Sequence, residues 1–351
     1  MYSRAKLRSR LALLLTAGLA ALGLMVAASG TAMAAANFYI VAFQGGNGDL
    51  WYYLDQNGKI TDVDTHLGMA FFTRPAATLA RTGDYVIAFH GSNGHLFVYY
   101  PFSKQHIDTR LGMASGTSPS ISQDLTVAFT GTNDHVWTYF SSGHDTGLVT
   151  SSLSTGPAIS QSGDAIAFES KNEKLDVYAT ATRHLTSTNL AMDANSSPSV
   201  GIYASEVAFQ ANSNKLWWYD GKKGHNTGLV MAPGTSPSID PYFNLNSASK
   251  LIAYAAFNSS GNNRLSVYNA SNNKHVNTGL VMTPETSPSL GALLDSGKGS
   301  IDNYGAWFNL SGTHHLAYYD VGPKASGKTS ASVNANSDGV SYFPGVTFAG
   351  G

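Results

Sequence analysis

The stretch VAFQANSNKLWWYDGKKGHNTGLVMAPGTSPSI, residues 207–239, decides the fold, because the chain carries seven copies of it. An apolar, Ala-containing run ends in Phe at Phe43, Phe89, Phe129, Phe168, Phe209, Phe257 and Phe308. A Leu or Val follows each Phe, then a Tyr three residues on, as in Leu50/Tyr53, Leu96/Tyr99 and Leu216/Tyr219. Six copies continue into Thr-x-Leu, and each closes on a Pro-centred segment: Pro75, Pro119, Pro157, Pro198, Pro237, Pro288 and Pro344. Each copy therefore reads as four short strands punctuated by Gly, Asn and Ser.

Four strands in about 45 residues, repeated, predict an all-β protein: a seven-bladed β-propeller of four-stranded blades. The ends fit a closed ring better than a capped solenoid. Residues from 37 begin at the Ala-Phe strand with no Pro segment before it, and the Pro segment at Pro344 has no hairpin after it. Pairing the two ends completes the first blade and removes an exposed sheet edge.

Residues 1–36 read differently. Arg4, Lys6, Arg8 and Arg10 precede the apolar run Leu11 to Ala28, and Ala32-Met33-Ala34 supplies small residues for cleavage. This is the pattern of a secretory signal, so the expected organisation is a signal peptide at 1–36 and a propeller at 37–351, secreted and without a membrane span after cleavage. An uncleaved anchor is the alternative. Removing that segment leaves 17 basic residues against 22 acidic ones, which excludes a basic nucleic-acid surface. The chain has no cysteine, so neither disulfides nor thiol chemistry enters, and the core must hold the fold alone.

The first hairpin encloses Asn47-Gly48, a signal for a two-residue type I′ turn. That turn predicts Phe43 opposite Tyr52, Ala42 opposite Tyr53 and Gln44 opposite Trp51. Alternation then places Phe on one face and Ala with Tyr on the other. Near the turn, on the Ala face, it predicts the pairs Gln44/Trp51, His90/Phe97, Thr130/Trp137, Glu169/Asp176, Gln210/Trp217, Asn258/Ser266 and Asn309/Ala317. The first member is polar in all seven, and the second is aromatic in blades 1, 2, 3 and 5. An aromatic face stacks on a pyranose ring while an amide or imidazole takes its hydroxyls. Gln44, Trp51, His90, Phe97, Thr130, Trp137, Gln210 and Trp217 are therefore the expected ligand-binding residues. The same aromatics could instead fill the groove between blades.

Catalytic chemistry finds little footing. No nucleophile elbow, zinc-protease helix or phosphate-binding glycine loop occurs. Glu169 and Asp176, predicted to face each other, are the nearest approach to a glycosidase acid pair, although a ladder pair of acids is the simpler reading. His106, His144, His184, His225 and His275 fall in separate copies, so no shared metal site and no cofactor is expected.

Val-Ala-Phe-Gln, Leu-Trp-x-Tyr, Thr-Gly-Leu-x-Met and Gly-Thr-Ser-Pro-Ser-Ile together resemble the PLL-like, tectonin-related bacterial propellers, across about residues 37–351. That resemblance implies a seven-bladed, non-catalytic lectin with sugar sites in the grooves between blades, often for fucosylated or methylated glycans. The Ile-Ala-Phe strands, as in Gly163 to Phe168, are also loosely similar to TolB-type propellers, which implies the alternative of a protein-interaction scaffold. A glycoside hydrolase is the weakest of the three readings.

Overall fold

Runs of Val, Ile, Phe and Tyr cut by Gly, Asn and Ser form strands throughout the structure, a computed structural model. It describes residues 37–346 except 57–58, 152–155, 203–205, 241–249, 258–260, 296–299, 314, 322–324 and 333–339. The segment read as a signal, residues 1–36, lies outside these residues, as does Asn258. Among the described residues every regular element is a strand, and the strands form seven four-stranded antiparallel sheets, the blades of a β-propeller.

Blade 1 is built from both ends of the domain. Its inner strand is Val340–Val346, followed outward by Asn37–Gln44, Asp49–Gln56 and Lys59–Gly68. Asn37 pairs with Val346 and Phe43 with Val340, so the ring closes as the sequence predicts. Blade 2 runs outward through Ala76–Leu79, Tyr85–His90, His95–Tyr100 and Gln105–Gly112, and the later blades repeat that order.

The Pro-centred segments line the axis of the ring, around a central cavity of about 140 Å³. Their Thr-Ser-Pro-Ser-Ile pattern is a blade-to-blade tie. Thr117 and Thr235 donate to the carbonyls of Ala114 and Ala232 and hold the turn. The first Ser of the motif takes a backbone N–H from the preceding blade: Arg74 N–H donates to Ser118 Oγ and Ser197 N–H to Ser236 Oγ. The second Ser takes one from the following blade: Ile159 N–H donates to Ser120 Oγ at 3.0 Å, and Ile239 N–H to Ser199 Oγ at 3.1 Å. These hydroxyls satisfy backbone groups that no sheet ladder reaches.

The Thr-x-Leu motif is equally structural. Thr65, Thr109, Thr146, Thr188, Thr227 and Thr278 each donate to the carbonyl opposite, and each accepts the N–H of the Leu two residues on. The residue between them sits at positive φ, from 56° at His66 to 76° at Gly279. Each of these outer strands thus carries a bulge, beyond which its pairing with the third strand resumes in a shifted register.

The hairpin register differs from expectation by one residue. Phe43 pairs with Trp51, Gln44 with Leu50 and Ala42 with Tyr52. The cause lies in the turn. Gly48 N–H donates to Gly45 O and Gly45 N–H to Asp49 O, so three residues, not two, form the loop. Only Gly48 has positive φ, at 85°, whereas a type I′ turn needs it at both central residues. The same single left-handed residue recurs at Gly94, Asp134, Glu173 and Asn214. One added loop residue shifts the pairing by one and exchanges the faces of every partner.

Blade 6 is corrected further. Tyr254 pairs with Ser266 and Ala255 with Leu265, so Tyr254, fully buried, takes the place of Phe209. Phe257, the residue expected there, lies three positions further along and is 44% exposed.

Between blades, the two faces interlock. Val41, Phe43 and Tyr53 of blade 1 pack against Trp307 and Leu316 of blade 7. Ile40, Ala42, Leu50 and Tyr52 pack against Tyr85, Ile87 and Phe89 of blade 2. The Phe face therefore looks back to the preceding blade and the Ala face forward to the next. Ala42, Ala88, Ala128, Ala167, Ala208 and Ala253 have no exposed surface, which leaves room for the following blade's rings.

Candidate functional site

The corrected register takes apart the predicted pairs. Gln44 points forward, towards blade 2, and Trp51 points back, towards blade 7. The same holds for His90 and Phe97, Thr130 and Trp137, and Gln210 and Trp217, whose Cα partners are, in that order, Leu96, Phe89, Val136, Phe129, Leu216 and Phe209. Glu169 pairs with Leu175 and Asp176 with Phe168, so the acid pair considered for glycosidic cleavage lies on opposite faces of blade 4.

The polar members are buried under the segments that cross from one blade to the next. Gln44, fully buried, donates through Nε2 to Gly48 O, Met69 O and Ala70 O. Gln210, also fully buried, donates to Ala232 O at 3.1 Å. His90 places Nδ1 3.0 Å from Thr117 O, and burial holds its imidazole below the usual range, so it is neutral at physiological pH. Thr130 is 1% exposed. Gln44, Gln210 and His90 fasten crossovers, and none of the four presents a surface to a ligand.

The aromatic members are half-buried and stand at the groove behind their own blade. Each ring lies against the backbone of its own hairpin: a Cβ added at Gly131 would fall 2.5 Å from the Trp137 ring, and one at Gly91 2.5 Å from Phe97. Trp137 packs in the cluster that holds Leu111 of blade 2, and Trp217 in the one that holds Leu190 of blade 4.

Beside these rings, blades 1, 2 and 3 carry a second polar set. The outer-strand residue opposite the ring is Asp64 for Trp51, Asp108 for Phe97 and Asp145 for Trp137. In blade 1, Asn47 accepts the Trp51 indole N–H at 2.9 Å and donates to Asp49 and Asp64. In blade 3, Asn133 accepts the Trp137 N–H at 3.0 Å and donates to Asp145, whose carboxylate also meets His135 Nδ1 at 3.0 Å. Blade 2 repeats this with Asn93, His95 and Asp108. Burial acts to raise the Asp108 and Asp145 carboxyls, but the Arg110 and Gly147 backbone N–H groups and the two imidazoles outweigh it and hold both below the ordinary range. Both stay ionised at any physiological pH. In blade 1, burial and neighbouring Asp64 push Asp49 up, partly offset by His66.

An aromatic face, a carboxylate, an amide and, in blades 2 and 3, an imidazole thus converge at three successive grooves, half-exposed. The sequence carried a trace of this. Asp precedes the Thr of Thr-x-Leu only in the first three copies, where the later ones have Ser187, Asn226 and Asn277. Asn47, Asn93 and Asn133 read there as turn residues, and they do accept the N–H two residues on, but all three amides also donate to the carboxylate, and Asn47 and Asn133 accept the indole N–H as well.

Elsewhere, His225 stacks on Trp218 with centroids 4.2 Å apart and meets Asp220 at 2.7 Å. Phe71 and Phe72, 59% and 63% exposed, sit on the crossover from blade 1 to blade 2. Phe72 has a φ of 60°, a conformation that bulky residues rarely adopt and that Gly116 and Gly234 supply in equivalent crossovers. Among the described residues no helix is long and apolar enough to cross a membrane.

Solved structures share this architecture. AofleA from Arthrobotrys oligospora superposes with a TM-score of 0.51 at 10% identity, over 80% of this chain and 91% of AofleA. TolB from Acinetobacter baumannii matches with a TM-score of 0.47 at 11% identity over 68% of this chain, and the match spans only 62% of TolB. No protein-family model and no curated protein matches the chain. Likeness at these identities shows the fold alone: a β-propeller.

Proposed function

We propose that this chain is an exported, multivalent glycan-binding propeller of the PLL-like, tectonin-related kind, with weak sites at the grooves behind blades 1, 2 and 3. The observation that carries the reading is the threefold recurrence of a half-exposed ring beside an Asp and a turn Asn, at Trp51/Asp64, Phe97/Asp108 and Trp137/Asp145. Packing and the bulge explain the Thr and Leu of that motif but do not require a carboxylate, since Asn226 and Asn277 accept the bulge N–H equally well. A ring with flanking acceptors suits a pyranose, and several such grooves on one rigid disc would raise avidity by about 10²–10⁴ on a surface bearing many copies of the sugar. Residues 1–36 would serve as the export signal.

The test is a glycan array probed with the secreted form, followed by Trp51→Ala, Phe97→Ala and Trp137→Ala singly and together. Avidity should fall stepwise while the far-UV spectrum is unchanged. An array with no bound glycan at high loading sinks the reading. So does a triple variant that binds as well as the parent. The exposed Phe71 and Phe72 favour a second reading, a scaffold for a protein partner, which a negative array together with capture lost on Phe71→Ser/Phe72→Gly would support.

A further inference from the structure

One position of the blade carries His, Lys or Arg in six copies and an acid in the seventh. It is the third-strand residue that pairs with the outer strand just beyond the bulge. Blades 2 to 7 place His95, His135, Lys174, Lys215, Arg264 and His315 there, and blade 1 places Asp49. In blades 2 and 3 the imidazole meets the Asp before Thr-x-Leu: His95 Nδ1 and His135 Nδ1 lie 3.0 Å from Asp108 and Asp145. Blade 1 keeps that second acid, Asp64, and so sets two carboxylates side by side, where like charges repel. The Asn47 amide bridges them, donating to Asp49 Oδ2 at 2.8 Å and to Asp64 Oδ2 at 2.9 Å, but it carries no charge to offset theirs.

A third donor lies beside them. His66, the middle residue of Thr-x-Leu, stands where the next two blades have Arg110 and Gly147. Its Nδ1 is 3.4 Å from Asp64 Oδ2, and ligand atoms of Asp49, Asp64 and His66 all fall within 4.8 Å of one another. The His66 side chain is 84% exposed, so the set opens directly to solvent.

We propose that Asp49, Asp64 and His66 bind one divalent cation of the zinc class, which takes the place of the basic side chain that the other six blades build in. Two carboxylate oxygens and an imidazole nitrogen are a zinc donor set, and three protein ligands leave a coordination position for water or an incoming group. The imidazole favours zinc over calcium or magnesium, which take oxygen ligands. Asn47 holds both carboxylates, as hydrogen bonds to ligating carboxylates do in metal sites. All three ligands come from blade 1, and His66 is not among the histidines that recur before Thr-x-Leu. The site requires no sugar in any groove.

The probe is zinc chloride, titrated calorimetrically into the untagged secreted form at about pH 7.5, above the ordinary imidazole range, with calcium chloride as the control. One equivalent of zinc should bind, at least about tenfold tighter than calcium, and raise the Tm. His66→Gly removes the nitrogen ligand and installs the residue that blades 3, 5 and 6 carry there, at Gly147, Gly228 and Gly279. Asp49→Lys installs the lysine of blades 4 and 5 and supplies the positive charge covalently. Both variants should keep the parent's far-UV spectrum. His66→Gly should weaken zinc binding at least about tenfold, and Asp49→Lys should abolish it together with the rise in Tm. A parent protein that binds no zinc overturns the proposal. So does zinc binding that either variant retains unchanged, which would put the ion on other histidines. A negative glycan array alongside a positive zinc titration would refute the sugar reading of blades 1–3 and leave this one standing.

Discussion

Glu169→Gln should change how stability depends on pH. The carboxyl titrates near its ordinary 4.5 in the unfolded chain and at about 8 in the fold, where burial and the acids Glu173 and Asp193 oppose its charge. Between those values the native state holds a proton that the unfolded chain has released. A folded pKa above the unfolded one means that stability is greatest below about 4.5, falls as pH rises, and levels off above about 8. The slope for one such group is about 1.4 kcal/mol per pH unit, so between pH 5.5 and 7.5 the wild type should lose roughly 2–3 kcal/mol through this residue. The glutamine of the variant has no proton to lose, and its amide can donate to the crossover as Gln44 and Gln210 do. Urea unfolding of both proteins at pH 5.5, 6.5, 7.5 and 8.5 measures the difference. The variant's advantage should widen by roughly 2–3 kcal/mol over the first three points and then flatten. Two parallel pH profiles, with a constant gap, would refute the claim that Glu169 is neutral in the native groove.

Three further substitutions follow from the geometry. Gly131→Ala puts a Cβ 2.5 Å from the Trp137 ring, so the ring must leave Asn133. We expect a loss of about 1–3 kcal/mol and a red-shifted emission, and an unchanged spectrum would contradict it. Ser120→Ala removes the acceptor of the Ile159 N–H between blades 3 and 4, which should cost about 1–3 kcal/mol in a calorimetric melt; no change in Tm would mean the serine tie is dispensable. Phe72→Gly relieves a bulky residue held at φ 60° and should raise stability by about 1 kcal/mol. Destabilisation would show that the exposed ring packs in the native protein.

The blade count, the ring closure and the position of each strand could be read from the sequence because they depend on periodicity, and seven copies average out local exceptions. The register could not be read that way. It hangs on one residue in each turn, and Asn-Gly supports both a two-residue I′ loop and the three-residue loop that closes on Gly48 at φ 85°. Since strand side chains alternate, that one residue decided whether Gln44 and Trp51 share a face. In blade 6 the error had another source. Ile252-Ala253-Tyr254 and Ala255-Ala256-Phe257 both look like the motif, and only the pairing of Leu265 with Ala255 decides between them.

The same alternation explains why repetition is a poor guide to function here. A residue that recurs in most copies answers a requirement the blade has: a Phe packed against the preceding blade, a Thr under the bulge, a Ser tied to the neighbouring backbone. The fold would need these whatever the protein bound. Residues free to serve a ligand are those the blade does not constrain, and they appear where copies disagree. Asp64, Asp108 and Asp145 stand where Ser187 and Asn226 suffice structurally, and Glu169 stands where Gln44 and Gln210 are the better-paired choice. A buried carboxyl without a partner is a cost that packing alone gives no reason to keep. The departures also cluster: the Asp set falls in three consecutive blades. Drift at a tolerant surface would scatter such changes among the seven blades. Clustering by groove is what selection for ligand contact between blades would leave, and on that ground the functional search belongs in the grooves behind blades 1, 2 and 3 rather than around the central cavity, whose Pro-Ser lining repeats almost unchanged.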